Sequence, residues 1–174
     1  TDRAPQSLKH TSFAGMGVDI ADFNNDGWPD IIQSDMMPRS LERRKRTLGF
    51  ATYNSVNELR GRGFRDDFSE NSLQLSNGLT DEGELVFSDI ARLAGVAHTD
   101  WSWAALFADF DDDGLKDIFI GNGYPKAVND LDYMTTTAQA MRPGRANAAG
   151  KRGLDNLKAL PSYGAVPAIN MVLT

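Results

Sequence analysis

The chain has 174 residues, of which 41% are hydrophobic and 24% charged, a composition typical of a globular, soluble domain rather than of a disordered polypeptide. Its formal net charge of −6 argues against nucleic acid as a partner. No apolar run approaches the roughly 18–20 residues of a transmembrane helix. Cysteine is absent and histidine occurs twice, which excludes thiolate metal sites and argues against a histidine-rich one.

The first predicted element is a hairpin within residues 1–35. Apolar residues among small ones over 13–23 predict a strand that runs into the acidic stretch DFNNDGWPD, and residues 30–34 predict the returning strand. Residues 36–68 differ in composition because they are rich in arginine, and we interpret them as a basic insertion with a short helix that starts near Ser40.

A second hairpin repeats the first. Residues 71–78 and 84–90 predict a strand pair across a polar turn, and residues 101–110 and 117–123 predict strands on either side of DFDDDGLKD. These elements fall within residues 69–124. The chain then predicts a helical insertion at 125–162, with one helix over 129–141, capped by Asn129 or Asp130, and another over 151–161. A further strand is predicted to start within 163–174.

Both acidic loops place oxygen ligands at alternate positions around one glycine. Side-chain oxygens at positions 1, 3 and 5, a backbone carbonyl at position 7 and a carboxylate at position 9 form a β-hairpin variant of the calcium loop of EF-hands. The glycine at position 6 allows the sharp turn because it tolerates positive φ. The predicted ligands are Asp22, Asn24, Asp26, Trp28 and Asp30 in the first loop, and Asp109, Asp111, Asp113, Leu115 and Asp117 in the second.

Hard oxygen ligands in a flexible loop favour Ca²⁺ over Mg²⁺, so the sequence predicts two calcium sites. The second loop brings four carboxylates and the first brings three, and we expect the second loop to bind more tightly. The alternative is that the loops are Asp/Asn-rich turns whose side chains bond only to local backbone.

At these motifs the chain resembles the FG-GAP/VCBS repeat family, the calcium-bearing repeats also found in integrin α-subunits. The order of the acidic hairpin, the N-x-L strand in NSLQLSNG, the F-x-D strand and A-G-V is similar to ASPIC/UnbV-type exported bacterial proteins, over about residues 11–125. The resemblance implies an all-β fold, with two to three blades of a β-propeller and mainly structural ions. Because a propeller closes with about 4–8 blades, we expect a piece of a longer chain.

The resemblance also implies export to the cell surface, outer membrane or periplasm of a bacterium, with membrane association through a preceding N-terminal segment. We expect a non-enzymatic module that binds a protein or glycan partner through the insertions 36–68 and 125–162. The alternatives are a calcium-dependent polysaccharide lyase or hydrolase on this scaffold, and a structural subunit of an outer-membrane assembly. Trp101 and Trp103 are interpreted as packing residues, with a sugar-stacking platform as the alternative.

Overall fold

The structure is a computed structural model that describes residues 3–8, 10–47, 52–64, 67–123 and 129–140. These residues fall into two compact units. The larger unit takes the described residues up to 39 and those from 52 to 123, and the smaller unit takes residues 40–47 and 129–140. The predicted helix over 151–161 and the predicted strand within 163–174 lie outside the described residues.

Antiparallel strands dominate the larger unit. In chain order, the described elements are α1 (Ala4–Ser7), β1 (Thr11–Ser12), β2 (Val18–Ala21), β3 (Asp30–Gln33), β4 (Met36–Met37), α2 (Leu41–Arg46), α3 (Tyr53–Gly61), β5 (Asp67–Phe68), β6 (Ser72–Leu79), β7 (Leu85–Asp89), β8 (Asp100–Ala108), β9 (Asp117–Asn122) and α4 (Leu131–Ala140). The expectation of a mostly β chain is therefore confirmed.

The first hairpin belongs to a four-stranded antiparallel sheet with the order β2-β3-β6-β7. The strands follow one another in chain order, so each pairs with the next, and the excursion through β4, α2, α3 and β5 separates β3 from β6. The predicted hairpins at both ends of this sheet, β2–β3 and β6–β7, are confirmed.

The second hairpin, β8–β9, lies in a three-stranded sheet with the order β4-β8-β9. Strand β4 was not expected, because the sequence placed Met36 in an insertion. It pairs with the start of β8 through Met36 opposite Trp101. The two-residue strands β1 and β5 form a separate parallel pair. None of the sheets formed by the described residues closes on itself.

One apolar core joins the two larger sheets. Ile32 and Leu73 from the four-stranded sheet cluster with Phe107, Ile118 and Ile120 from the β8–β9 hairpin, and all five side chains are buried. Burial of side chains of this size is the main favourable term in folding, so this cluster fixes the sheets against each other.

Two contacts hold β2 close to β8. Gly17, just before β2, brings its backbone so near that an added Cβ would stand 2.7 Å from the carbonyl oxygen of Trp103. Asp19 Oδ2 then accepts a hydrogen bond of 2.8 Å from the backbone N–H of Phe107. Because β2 precedes the first acidic loop and β8 precedes the second, these contacts place the two loops near one another.

The smaller unit contains α2 and α4, and both of their predicted starts are confirmed. Ser40 Oγ accepts from the N–H of Arg43 at the start of α2, and Asp130 Oδ1 accepts from the N–H of Asp132 at the start of α4. Arg46 forms an ion pair of 3.0 Å with Asp130, which is 5% exposed. Side-chain caps of this kind satisfy backbone donors that a helix start leaves unpaired.

Helix α3 was missed by the sequence interpretation. Thr52 caps it by accepting from the N–H of Ser55, while Ser55 Oγ accepts from the N–H of Thr52. This reciprocal box uses serine where glutamate or glutamine is usual at its third position, so the usual sequence signature was absent.

Candidate metal centres in two hairpin loops

Each acidic stretch is the connection of one antiparallel hairpin. Loop one, residues 22–30, is closed by the pair Ala21 and Asp30. Loop two, residues 109–117, is closed by the pair Ala108 and Asp117. The strands on either side therefore hold both ends of each loop, and position 9 of each loop is already part of a strand.

The carboxylate at position 1 organises the turn in both loops. Asp22 accepts from the N–H groups of Asp26 and Gly27 at 3.0 and 2.9 Å. Asp109 accepts from the N–H groups of Asp113 and Gly114 at 3.1 and 2.8 Å. The same two bonds therefore form from positions 5 and 6 to position 1 in both copies.

The carboxylates at positions 5 and 9 also accept the same hydrogen bonds in both loops. At position 5, Asp26 accepts from the N–H of Trp28 and Asp113 accepts from the N–H of Leu115, each at 2.8 Å. At position 9, Asp30 and Asp117 accept from the N–H of the residue at position 2, at 2.8 and 2.9 Å. Two stretches of different sequence thus adopt one hydrogen-bonding pattern.

The backbone dihedrals match as well. Gly27 and Gly114 at position 6 have φ of 90° and 87°, so the expected positive φ at these glycines is confirmed. Asn25 and Asp112 at position 4 have φ of 58° and 61°. Asparagine and aspartate are enriched in this left-handed region, which explains why a loop without glycine at position 4 keeps one of them there.

Loop two brings three carboxylates together. Oxygen atoms of Asp109, Asp111 and Asp117 all lie within 4.8 Å of one another, a convergence found nowhere else among the described residues. Asp111 accepts no hydrogen bond from any described residue. Its carboxylate therefore faces two like charges with no described donor to offset the repulsion.

Loop one has a neutral residue at the corresponding position. The side-chain oxygen of Asn24 accepts from the N–H of Asp26 at 3.2 Å, and its amide nitrogen donates to Asp26 Oδ2 at 2.8 Å. Because Asn24 is neutral, loop one lacks the repulsion that the carboxylate of Asp111 adds in loop two. Loop one presents the same positions with one charge fewer.

The donor set fits a hard divalent cation. Positions 1, 3, 5 and 9 offer only carboxylate and amide oxygens, which suit Ca²⁺ and Mg²⁺ better than zinc or copper. An ionised carboxylate has about four lone-pair positions, so the one or two backbone N–H bonds described above leave acceptor capacity at each. At position 7 the structure shows hydrogen bonds from the N–H groups of Trp28 and Leu115. The carbonyl oxygens of these two residues remain predicted ligands.

The two loops touch. The amide nitrogen of Asn25 lies 3.3 Å from the carbonyl oxygen of Gly114. Asn25 and Asp112 are both exposed, and the sequence did not predict this contact between the loops. The Trp28 ring lies against Gly78, since its indole nitrogen is 3.5 Å from the position that a Cβ on Gly78 would take.

The remaining residues singled out by the sequence lie apart from the loops. Trp101 is 5% exposed and Trp103 is 43% exposed, with the Trp103 ring against the backbone of Gly123. His10 Nε2 lies 3.1 Å from Asp89, and His98 Nε2 lies 3.0 Å from Glu70. Each histidine therefore has a carboxylate neighbour and neither belongs to the acidic loops.

Sequence reasoning missed the ion pair around Glu70. This side chain is 9% exposed and accepts from both Nε and a terminal nitrogen of Arg92, at 3.2 and 2.9 Å. The hydrogen bonds and charge of Glu70 raise the pKa of Arg92. No spacing signal could reveal this pair, because 22 positions separate the partners.

Comparison of the chain with family models, with curated proteins and with solved structures gave no match. Among the described helices, none combines the length and apolar character that crossing a membrane requires.

Proposed function

We propose that the chain is a calcium-binding, non-enzymatic β module in which two ions brace the tips of neighbouring hairpins. In this proposal the chain forms two to three blades of an FG-GAP/VCBS-like propeller. The propeller belongs to an exported bacterial protein at the cell surface or outer membrane. In this role the metal is structural, and exposed loops on the stabilised scaffold bind a protein or glycan partner.

The observation that carries the proposal is the duplicated loop. Loop one and loop two share their hydrogen bonds at positions 1, 5 and 9 and their positive φ at positions 4 and 6. Two local turns could each be stabilised by backbone bonds alone. A cation also accounts for Asp111, whose carboxylate lies beside those of Asp109 and Asp117 without a described donor.

The four-stranded sheet supports the propeller part of the proposal. Its strands pair in chain order as an antiparallel meander, and the second hairpin packs beside it through the shared core. A propeller blade is a sheet of four strands of this kind. Helix α2 of the smaller unit carries the basic run Arg43, Arg44, Lys45 and Arg46, of which Arg46 is paired with Asp130. This run supports an anionic partner, such as an acidic glycan, as part of the proposal.

Replacing Asp111 with alanine tests whether loop two binds a metal. A loop with a cation and a loop without one predict opposite changes in melting temperature for this variant. Without a cation, Asp111→Ala removes only repulsion, so in EDTA the variant should melt at the same temperature as the parent chain or above it. In millimolar Ca²⁺ the parent should gain stability and the variant should gain far less. Thermal melts and calorimetric Ca²⁺ titrations of both chains measure this difference.

Asp112→Asn is the matched control. It also removes one carboxylate from loop two, but Asp112 lies at position 4, outside the predicted ligands, and asparagine tolerates its φ of 61°. We expect this variant to keep the response to Ca²⁺. If the parent chain does not respond to Ca²⁺, or if Asp111→Ala responds as the parent does, the prediction of a metal in loop two is wrong.

A further inference from the structure

The tips of the two acidic loops are joined by one side chain. Asn25, at position 4 of loop one, donates from its amide nitrogen to the carbonyl oxygen of Gly114, at position 6 of loop two, over 3.3 Å. Asp112 is the counterpart of Asn25 in loop two, and no hydrogen bond among the described residues joins its side chain to loop one. In the described part of the chain, the hydrogen bond between the loops is therefore made by Asn25.

Both partners of this bond lie between predicted metal ligands. Asn25 stands between positions 3 and 5 of loop one, and Gly114 stands between positions 5 and 7 of loop two. An ion in either loop would hold the ligands on both sides of the partner that belongs to that loop. Each ion would thereby fix one end of the contact between the loops.

The carboxylate at position 1 of each loop is also close to this contact along the backbone. The N–H of Gly114 donates to Asp109 Oδ2 at 2.8 Å. In loop one, the N–H of Asp26, the residue after Asn25, donates to Asp22 Oδ1 at 3.0 Å. A displacement of either carboxylate on ion binding would therefore reach the contact between the loops through a hydrogen bond and at most one residue of backbone.

The bases of the two loops are held together by the core. Phe23, at position 2 of loop one, packs against Phe107, two residues before loop two, with the ring centroids 5.3 Å apart. The N–H of Phe107 donates to Asp19 on β2, and the Phe107 side chain belongs to the buried cluster. Because these contacts already fix the bases, the bond between the tips requires little further ordering of the chain.

We propose that the two calcium sites are coupled through Asn25, so that an ion in one loop raises the affinity of the other loop. This inference rests on the proposed function, because it concerns the same two sites. An ion that orders one end of the Asn25 contact leaves less ordering for the second ion to impose, which gives positive cooperativity. The coupling is reciprocal, so each ion should raise the affinity of the other site by the same factor.

Two effects determine the size of this coupling. One hydrogen bond typically changes an equilibrium constant by a factor of about 2–10, so we expect a coupling factor in this range. Direct repulsion between two bound dications acts in the opposite direction. The tips of both loops are exposed, and at physiological ionic strength salt screens exposed charges over about 8 Å. The affinities should therefore be measured near that ionic strength.

A Ca²⁺ titration of the full chain, followed by NMR of backbone amides, resolves the two sites. The N–H of Gly27 reports loop one and the N–H of Gly114 reports loop two, because each donates to the carboxylate at position 1 of its own loop. Asp111→Ala disables loop two without removing a hydrogen bond from any described residue. With Asn25 intact, this change should move the midpoint at Gly27 to a Ca²⁺ concentration about 2–10 times higher.

Asn25→Gly removes the side chain that joins the loops, and glycine tolerates the φ of 58° at this position. In this background, Asp111→Ala should no longer move the midpoint at Gly27. Asp112→Gly is the matched control, because it makes the same kind of change at position 4 of loop two, where φ is 61°, and removes no bond between the loops. This control should leave the coupling intact.

The outcomes distinguish the coupling from the calcium sites themselves. If neither glycine amide responds to Ca²⁺, the proposed function is wrong and the coupling is wrong with it. If only one loop responds, or if Asp111→Ala leaves the midpoint at Gly27 unchanged or lowers it, the coupling is wrong while calcium binding stands. If the coupling persists in Asn25→Gly, it is transmitted by the core rather than by Asn25, and this result also overturns the proposal.

Discussion

Asp22 and Asp109 illustrate how one side chain can stabilise a turn and remain able to bind a cation. Each accepts two backbone N–H groups, which satisfies donors that the turn would otherwise leave to solvent. Each carboxylate keeps lone pairs for an ion. The loops differ at position 3. Asn24 forms hydrogen bonds within loop one, whereas Asp111 in loop two receives none from a described donor.

At the scale of single residues, we expect Gly27→Ala and Gly114→Ala each to lower the free energy of unfolding by about 1–2 kcal/mol. No atom of the described residues lies within 4 Å of a Cβ added at either glycine, so the cost comes from the positive φ of 90° or 87° rather than from a clash. Urea denaturation of each variant and of the parent chain measures it.

Gly61→Ala is the control for these two variants. Gly61 ends α3, has no positive φ and has no atom of the described residues within 4 Å of an added Cβ, so alanine there should be neutral or stabilise by about 0.5–1 kcal/mol. A similar loss of stability at all three positions would show that the left-handed backbone is not the cause.

At the scale of elements, each hairpin is one unit in which strand register determines loop geometry. The pairs Ala21–Asp30 and Ala108–Asp117 place position 9 within a strand, so its carboxylate can reach back to the N–H at position 2. The loops therefore share one geometry although four of their nine residues differ. Among the side chains that are predicted ligands, the loops differ only in the charge at position 3.

We expect loop two to bind Ca²⁺ more tightly than loop one, because ligand charge helps determine affinity in such loops. Asp113→Ala should therefore remove the tighter of two sites, and Asp26→Ala the weaker one. Each change also deletes one 2.8 Å bond from the N–H at position 7, and Asp26→Ala additionally deletes the bond from the Asn24 amide. Calorimetric titration separates the sites, and equal losses of affinity would contradict the predicted order.

At the scale of the whole molecule, the two larger sheets of the larger unit are antiparallel and share one core, and the smaller unit contains two helices. The strand β2 lies against β8 through the close approach at Gly17 and the bond from Phe107 to Asp19. A cation at either loop would therefore stabilise a hairpin that is anchored in this core. Metal binding should appear in global unfolding rather than only in local loop order.

We expect the melting temperature to rise with the logarithm of Ca²⁺ concentration and to fall again in EDTA. A ligand that binds only the folded state adds about 2.7 kcal/mol at one hundred times its dissociation constant. Mg²⁺ at the same concentration should do less, because it demands tighter octahedral geometry. Scanning calorimetry at several concentrations measures this, and a melting temperature independent of Ca²⁺ would contradict the proposed function.

Local patterns allowed much of the fold to be predicted. The two acidic hairpins and the β6–β7 pair follow from apolar strands on either side of polar turns, and Ser40 and Asp130 signalled the starts of α2 and α4. Helix α3 and strand β4 were missed. The first has an unusual cap and the second pairs with a strand more than 60 positions away, which no local pattern encodes.

The sequence by itself determined which oxygen-bearing side chains the loops present, because their spacing around a glycine is a local property of nine residues. Only the tertiary structure decided that the loops are neighbours and that Asp19 joins β2 to β8. These facts depend on contacts between residues as many as 89 positions apart. Such contacts are formed by burial of the shared core, which the order of residues along the chain does not display.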